Sequence, residues 1–248
     1  MSDEARILLI RHGESTANVA AAIAERAGAE VIEVEARDAD VRLSELGRSQ
    51  AATLGDALRE QLGPDWAAAA RVWSSPYRRA RDTARLAAGA GRGGDVGRIR
   101  VDERLRDREL GIIDALTSHG VDVRLPGEAA RRRWLGKFFY RPPGGESWAD
   151  VALRVRSFLR DADEQASGPL VVFTHDAVVS LFAYVLLDLD EAELARFLSE
   201  RAVGNASITS FTRDAGGAWT LEAFGDASHI VSAGVPVTEH AGTDPDGA

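Results

Sequence analysis

Ala5-Arg6-Ile7-Leu8-Leu9-Ile10, stopped by Arg11-His12-Gly13, is the stretch on which the fold turns. The run is apolar without alternating polar positions, so it suits a strand buried on both faces. It ends abruptly in polar, reactive side chains. The pattern returns late in the chain, where residues 169–173 (Pro-Leu-Val-Val-Phe) form another buried strand that breaks at Thr174-His175-Asp176. Residues 177–187 then read as an apolar helix. Arg71-Val72-Trp73-Ser74 and Ile99-Arg100-Val101 have the composition of two further strands.

Helical patterns separate these strands. Leu46, Leu54, Leu58 and Leu62 recur at multiples of four behind Ser44, a good N-cap, and Gly63-Pro64 closes that helix. Ser75-Pro76 supplies an N-cap followed by proline at the first helical position, which predicts a helix over 76–88. Ser147 caps a helix with Val151, Val155, Phe158 and Ala162 on one face, and Asp190 with Glu193 forms a capping-box start to another. Residues 207–211 and 218–224 flank Asp214-Ala215-Gly216-Gly217 as a hairpin. The glycine-rich stretch 89–97 reads as a loop. Residues 102–133 show no sustained period and read as an insertion or lid, and 241–248 as a frayed tail.

Strands alternating with helices predict a single three-layer α/β domain over residues 1–240. Its central sheet is mostly parallel, helices cover both faces, the hairpin is an antiparallel addition, and a lid is inserted at about 102–145. In such sheets a ligand sits beyond the carboxyl ends of the strands, and here two of those ends carry a histidine.

Composition narrows the chemistry. The 248 residues are 45% hydrophobic and 28% charged, which suits a sizeable core and excludes disorder or a coiled coil. With no cysteine, disulfides, thiolate zinc sites and thiol nucleophiles are ruled out, and chemistry falls to His, Asp, Glu, Ser or Arg. A net charge of −9 opposes general nucleic-acid binding. The apolar run 177–187 is too short to cross a bilayer, and Met1-Ser2-Asp3-Glu4 lacks the basic and apolar regions of a signal peptide, so the chain reads as soluble and cytoplasmic. Only Lys137 among 30 basic residues is lysine, so single surface arginines count as background.

Against that background a few residues stand out. Arg11 beside His12 disfavours the imidazolium and leaves a neutral, nucleophilic ring, while Gly13 lets the backbone approach a ligand. Arg79 lies in the first turn of its helix, where the dipole disfavours a cation, so an anion should offset it; a phosphate held by the helix N-terminus and the guanidinium would do so. His175 mirrors His12 at an equivalent strand end and could stabilise charge developing on a phosphoryl oxygen. No His-x-His, His-x-x-x-His or His-Glu-x-x-His spacing supports a metal site.

Taken together, Ile10-Arg11-His12-Gly13-Glu14-Ser15, Asn18, Leu43-Ser44-x-x-Gly47-x-x-Gln50-Ala51, Ser75-x-x-x-Arg79-Ala80-x-x-Thr83-Ala84, Gly144-Gly145-Glu146-Ser147 and Thr174-His175 resemble the histidine phosphatase superfamily, which includes the cofactor-dependent phosphoglycerate mutases. The resemblance spans roughly residues 5–210. It implies that His12 attacks phosphorus and carries the phosphoryl group covalently, that Arg11, Arg79 and His175 balance its charge, and that Gly13, Ser15, Asn18 and Asp176 lie around the substrate. No cofactor or metal is implied, and the partner is a small phosphorylated metabolite. Homodimers are common in the family, although no residue of this sequence marks an interface.

The proton donor departs from the family pattern. Alignment on Leu105 and Gly111 puts Asp107 where the family often has glutamate, with Glu109 as a register-shifted alternative. Either could simply pair with Arg106 or Arg108. Asp176 follows the second histidine, where the mutase branch usually has glycine and the histidine acid phosphatase branch has a proton-donating aspartate. Asp107 is preferred because the rest of the chain looks like the mutase branch. Arg131-Arg132-Arg133 resembles the basic mutase lid only loosely, and Trp134, Phe138, Phe139 and Tyr140 share its segment as lid packing or a pocket for an apolar group. His119, His229 and His240 match no motif and read as surface groups. Phosphomonoester hydrolysis is the leading expectation, a phosphoglycerate-type mutase the rival, and a non-catalytic phospho-ligand or protein-binding module the reading from another class.

Overall fold

The computed structural model describes residues 5–89, 99–163 and 168–239. Along the chain run β1 (Arg6–Arg11), α1 (Thr16–Arg26), α2 (Glu45–Leu62), α3 (Trp66–Ala69), β2 (Arg71–Ser74), α4 (Arg78–Ala87), β3 (Arg100–Val101), α5 (Ser118–Arg124) and α6 (Pro126–Phe139). Then follow α7 (Trp148–Asp163), β4 (Leu170–Thr174), α8 (Asp176–Leu186), α9 (Glu191–Ser199), β5 (Ile208–Arg213), β6 (Trp219–Asp226) and α10 (Ser228–Ser232).

The strands form one six-stranded sheet in the order β3-β2-β4-β1-β5-β6. Strands β1, β2, β3 and β4 are parallel, and β5 and β6 join antiparallel as the hairpin. The lack of alternation in β1 has its reason here. Ile7 and Leu9 enter a core shared with α7 and α8, whereas Leu8 and Ile10 enter a second core with Leu54, Leu58, Val72 and Ala84 on the opposite face. Both faces of the strand are dry, so every position must be apolar.

Register places the reactive ends. Ile10 pairs with Phe173 and Arg11 with Thr174, and the His12 N–H continues the ladder to the Thr174 carbonyl. His12 and His175 therefore leave the sheet side by side.

Local signals mostly hold. Ser44 accepts from the Gly47 N–H, the Ser147 hydroxyl from the Asp150 N–H, and Asp190 with Glu193 forms a reciprocal capping box. The helix after β2 begins later than the proline suggests. It starts at Arg78 with Tyr77 as N-cap, and the Ser75 hydroxyl accepts from the Tyr77 N–H in the preceding turn. The Ala-rich stretch forms α1, whose start is a reciprocal box between Ser15 and Asn18. The insertion is more ordered than its missing period suggests. Helices α5 and α6 enclose a small core of Ile113, Val121, Ala129 and Tyr140, and Gly136, at φ 74°, interrupts α6 and breaks any helical repeat. The loop expected over most of 89–97 and the tail over 241–248 lie outside the described residues.

One backbone approach seats the turn after β1. A Cβ on Gly47 would lie 1.9 Å from the Glu14 carbonyl oxygen, and a Cβ on Gly13 would lie 2.5 Å from the Gly47 oxygen. Neither backbone can retreat without pulling His12 or α2 out of place. Gly47→Ala is therefore expected to destabilise the protein by about 1–3 kcal/mol, the usual cost of overpacking, read as a lower urea midpoint. An unchanged midpoint would show that the turn gives way easily.

Candidate active site

The turn after β1 is held through its main chain. The His12 carbonyl accepts from the Ala206 N–H at 3.2 Å and from Asn205 Nδ2 at 3.1 Å. The Gly13 N–H donates to Thr83 Oγ1 at 3.0 Å, and the Glu14 N–H to Gln50 Oε1 at 2.8 Å. Ser44 donates both its N–H and its hydroxyl to Glu14. Buried backbone groups that find partners in α2, α4 and the segment before β5 leave the histidine little freedom.

Those bonds also fix the ring. His12 Nδ1 lies 2.7 Å from the Gly13 carbonyl, which can only accept, so Nδ1 carries the proton. Nε2 is left as the lone pair, and it accepts from Arg79 Nε at 3.2 Å. The ring is 3% exposed. Burial first, then the charges of Arg79, His175 and Arg11, push its pKa well below the ordinary value of 6.5. A neutral imidazole keeps on Nε2 the lone pair that nucleophilic chemistry requires, held here by the guanidinium.

His175 lies edge-on to His12, with ring centroids 5.1 Å apart. Its Nε2 is 2.9 Å from Ser75 Oγ and its Nδ1 is 3.2 Å from Asp107 Oδ2. Burial lowers its pKa against the pull of Asp107.

Arg79 is the hub. Besides His12 it reaches Asp38 Oδ1 at 2.7 Å through Nη1, and Asp107 Oδ2 at 2.9 Å through Nη2. The anion required by a cation in a first helical turn is thus supplied by two carboxylates of the protein. Burial raises the Asp107 pKa, but the charges of His175 and Arg79 outweigh it and hold the carboxyl well below the usual carboxylate range. Arg11 donates to the Val203 carbonyl, and its Nη2 lies 3.7 Å from Asp176 Oδ2.

Arg11, His12, Ser15, Asn18, Arg79, Asp107 and Asp176 all line one cavity of about 510 Å³, and His175 stands behind His12 and Asp107. Gly13 has a purpose within the fold that was not expected from the sequence. Its missing side chain accommodates Gly47, and its N–H is taken by Thr83. Glu109 is drawn away, accepting from the Tyr77 hydroxyl at 2.7 Å. His119 is exposed, but His229 is not a free surface group: it is half-buried, its Nε2 is 3.1 Å from the Ala206 carbonyl, and burial lowers its pKa. His240 lies outside the described residues. In the lid, Arg133 pairs with Asp122, Phe138 packs on Tyr184, and Trp134 is 83% exposed. Lys137, Arg108 and Leu110 reach the cavity from the same region.

Sequence reasoning missed Asp38 and Asn205. Neither sits in a periodic element or at a motif position, and each acts through a loop whose course only the folded chain defines. Among the described residues no group of three or more His, Asp or Glu could hold a metal ion, and no helix is long and apolar enough to cross a membrane.

The family model described as histidine phosphatase superfamily (branch 1) matches residues 7–227. The chain belongs to the histidine phosphatase superfamily. It is similar to the glucosyl-3-phosphoglycerate phosphatase of Mycobacterium tuberculosis, 33% identical over 218 residues that cover 84% of this chain and 85% of the relative. The phosphoglycerate mutase-like protein AT74H of Arabidopsis thaliana is 36% identical over 64% of this chain and 54% of its own length. Among solved structures, mycobacterial glucosyl-3-phosphoglycerate phosphatase in complex with VO3 superposes with a TM-score of 0.69 at 29% identity, covering 90% of this chain and all of that one.

The buried histidines give stability a pH dependence of known sign. A histidine kept neutral by folding contributes stability that is present above its unfolded value near 6.5 and lost as pH falls below it. For His12, held neutral across this range, the expected cost between pH 7.5 and 5.5 is up to about 1.4 kcal/mol of unfolding free energy. Urea unfolding at the two pH values should show the His12→Gln protein losing about 1 kcal/mol less than wild type. Equal losses would mean that His12 takes up its proton in the native state.

Proposed function

We propose that this chain is a phosphomonoesterase acting through a phosphohistidine on a small phosphorylated metabolite. The observation that carries the reading is the His12 Nε2 lone pair, facing Arg79 Nε at 3.2 Å on the wall of a cavity that also holds Arg11 and Asn18. In the first step Nε2 attacks phosphorus, the P–N bond forms, the ester P–O bond breaks, and the alkoxide leaves with a proton. In the second, water attacks phosphorus and gives a proton back to the carboxylate that protonated the alkoxide, the P–N bond breaks, and phosphate departs. Arg11, Arg79 and His175 balance charge on the equatorial oxygens, with Asn18 and Ser15 at the start of α1 beside them.

Asp107 is the proton donor in this reading. Its Oδ2 touches two of the three groups assigned to the phosphoryl oxygens, Arg79 at 2.9 Å and His175 at 3.2 Å, whereas Asp176 meets only Arg11, at 3.7 Å. A carboxyl held ionised by Arg79 and His175 gains its proton with the substrate. The arriving phosphoryl charge lies beside it and draws on the same guanidinium, and both effects raise its pKa. The acid phosphatase-type alternative gives this role to Asp176.

Hydrolysis is favoured over mutase action because a bisphosphorylated intermediate needs free lid cations, and Asp38, Glu25, Asp114 and Glu239 put carboxylates on this cavity wall. The name of the mycobacterial relative makes sugar-substituted phosphoglycerates the first substrates to screen. A cytoplasmic setting, without nucleic acid as partner, belongs to the same reading and rests on the cysteine-free, net acidic sequence.

Turnover quenched without acid and followed by peptide mapping is expected to find phosphate on His12, and His12→Ala should abolish hydrolysis. Phosphorus NMR with 3-phosphoglycerate and catalytic 2,3-bisphosphoglycerate should show inorganic phosphate. Rapid 2-phosphoglycerate with little phosphate would instead establish the mutase.

An acid acting on the leaving group matters most when that group is poor. Asp107→Asn is expected to slow alkyl phosphates about 10²-fold or more while sparing p-nitrophenyl phosphate. The same pattern from Asp176→Asn, and not from Asp107→Asn, would move the role to Asp176.

A further inference from the structure

Arg79 meets its partners along two edges. Nε faces His12 Nε2 at 3.2 Å, and Nη2 faces Asp107 Oδ2 at 2.9 Å. The end formed by Nη1 and Nη2 meets the Asp38 carboxylate, with Nη1 to Oδ1 at 2.7 Å and Nη2 to Oδ2 at 3.3 Å. Nη1 also donates to the Asp38 carbonyl at 2.7 Å. That carbonyl accepts the Val41 N–H at 3.3 Å, closing the 3-10 turn Asp38–Asp40, and Val41 is buried. The clamp is therefore built on a fixed turn packed against α4.

We propose that Asp38 is a positioning residue for phosphoryl transfer, holding the guanidinium end-on so that the Nε and Nη2 edge of Arg79 is presented at His12 Nε2. The inference rests on the phosphohydrolase reading. Asp38 acts through Arg79, and its carboxylate and carbonyl together fix the plane of a side chain that would otherwise swing. The competing role is a plug, a carboxylate seated where the phosphoryl group must go. The two roles predict effects of opposite sign. Deleting a negative charge beside an anion site strengthens anion binding by simple electrostatics, whereas deleting a positioner weakens it despite the gain in positive potential.

The test compares wild type, Asp38→Asn and Asp38→Ala by steady-state kinetics on the best hydrolysed substrate and by inhibition with orthovanadate, a mimic of the five-coordinate phosphorus. Unfolding midpoints are measured alongside. The near-isosteric Asn variant guards against misfolding of the Ala variant. The orthovanadate Ki is expected to rise about tenfold in Asp38→Asn and further in Asp38→Ala, with kcat falling more than KM rises, because a misaligned donor is felt most in the transition state. Orthovanadate binding as tight as wild type or tighter, or a rise in KM alone with kcat and Ki unchanged, would overturn the inference and leave the phosphohydrolase reading standing. A wild-type protein with no vanadate-sensitive hydrolysis would overturn both.

Discussion

Burial of the Arg79 guanidinium, 4% exposed, constrains everything around it. An unpaired charge at that depth would cost several kcal/mol, so the chain must bring acceptors to each edge. Asp38 comes from the loop after α1, Asp107 from the segment after β3, and His12 from the end of β1. Each bond has a chemical consequence. A proton on His12 Nε2 would point at a permanent cation, so the ring stays neutral, and Asp107 beside the same cation stays ionised. A phosphoryl dianion entering this arrangement adds negative charge to a cluster that already holds two carboxylates. In the proposed reading the proton that restores balance goes to Asp107, so that binding would itself arm the acid.

The sheet makes such a cluster affordable in a chain of this length. Parallel neighbours β1 and β4 deliver two histidines from opposite ends of the sequence to one edge, and β2 delivers Ser75 beside them. The hydrogen bonds that hold the His12 turn then come from α2, α4 and the loop before β5. Catalytic geometry therefore inherits the rigidity of both cores, although His12, His175 and Asp107 sit just outside the regular elements.

What was legible in the sequence follows from how local each cause is. Strand β1 could be read because burial on both faces leaves no alternation. The caps at Ser44, Ser147 and Asp190 could be read because the cap and its recipient are neighbours in the chain. His12, Arg79 and His175 sit at strand or helix ends, where such signals are densest. Asp38 and Asn205 could not be read, since their partners are set by loop paths and not by spacing. Gly13 was read for a close backbone approach, and one such approach, by Gly47, is set by the fold. The proline at position 76 misplaced a helix start because the Ser75 hydroxyl, engaged with Tyr77 and His175, caps the preceding turn and not the helix.

The cations of the lid bear on how long a phosphohistidine could persist. Arg108 donates to the carbonyls of Glu146 and Tyr140, Arg106 pairs with Glu146, and Arg133 pairs with Asp122. Lys137 stands over the Trp148 ring at 4.7 Å. These groups stabilise the lid's own architecture, and freeing one to grip the second acidic end of an intermediate would break a bond already made. The cavity wall meanwhile sets Glu25, Asp114 and Glu239 against Arg108, Lys137 and Arg201, so a second anion meets no excess of positive charge there. An acceptor with two charged ends gains little by lingering near His12, whereas water needs no such grip. The same electrostatics that let one phosphoryl group in thus favour its transfer to water.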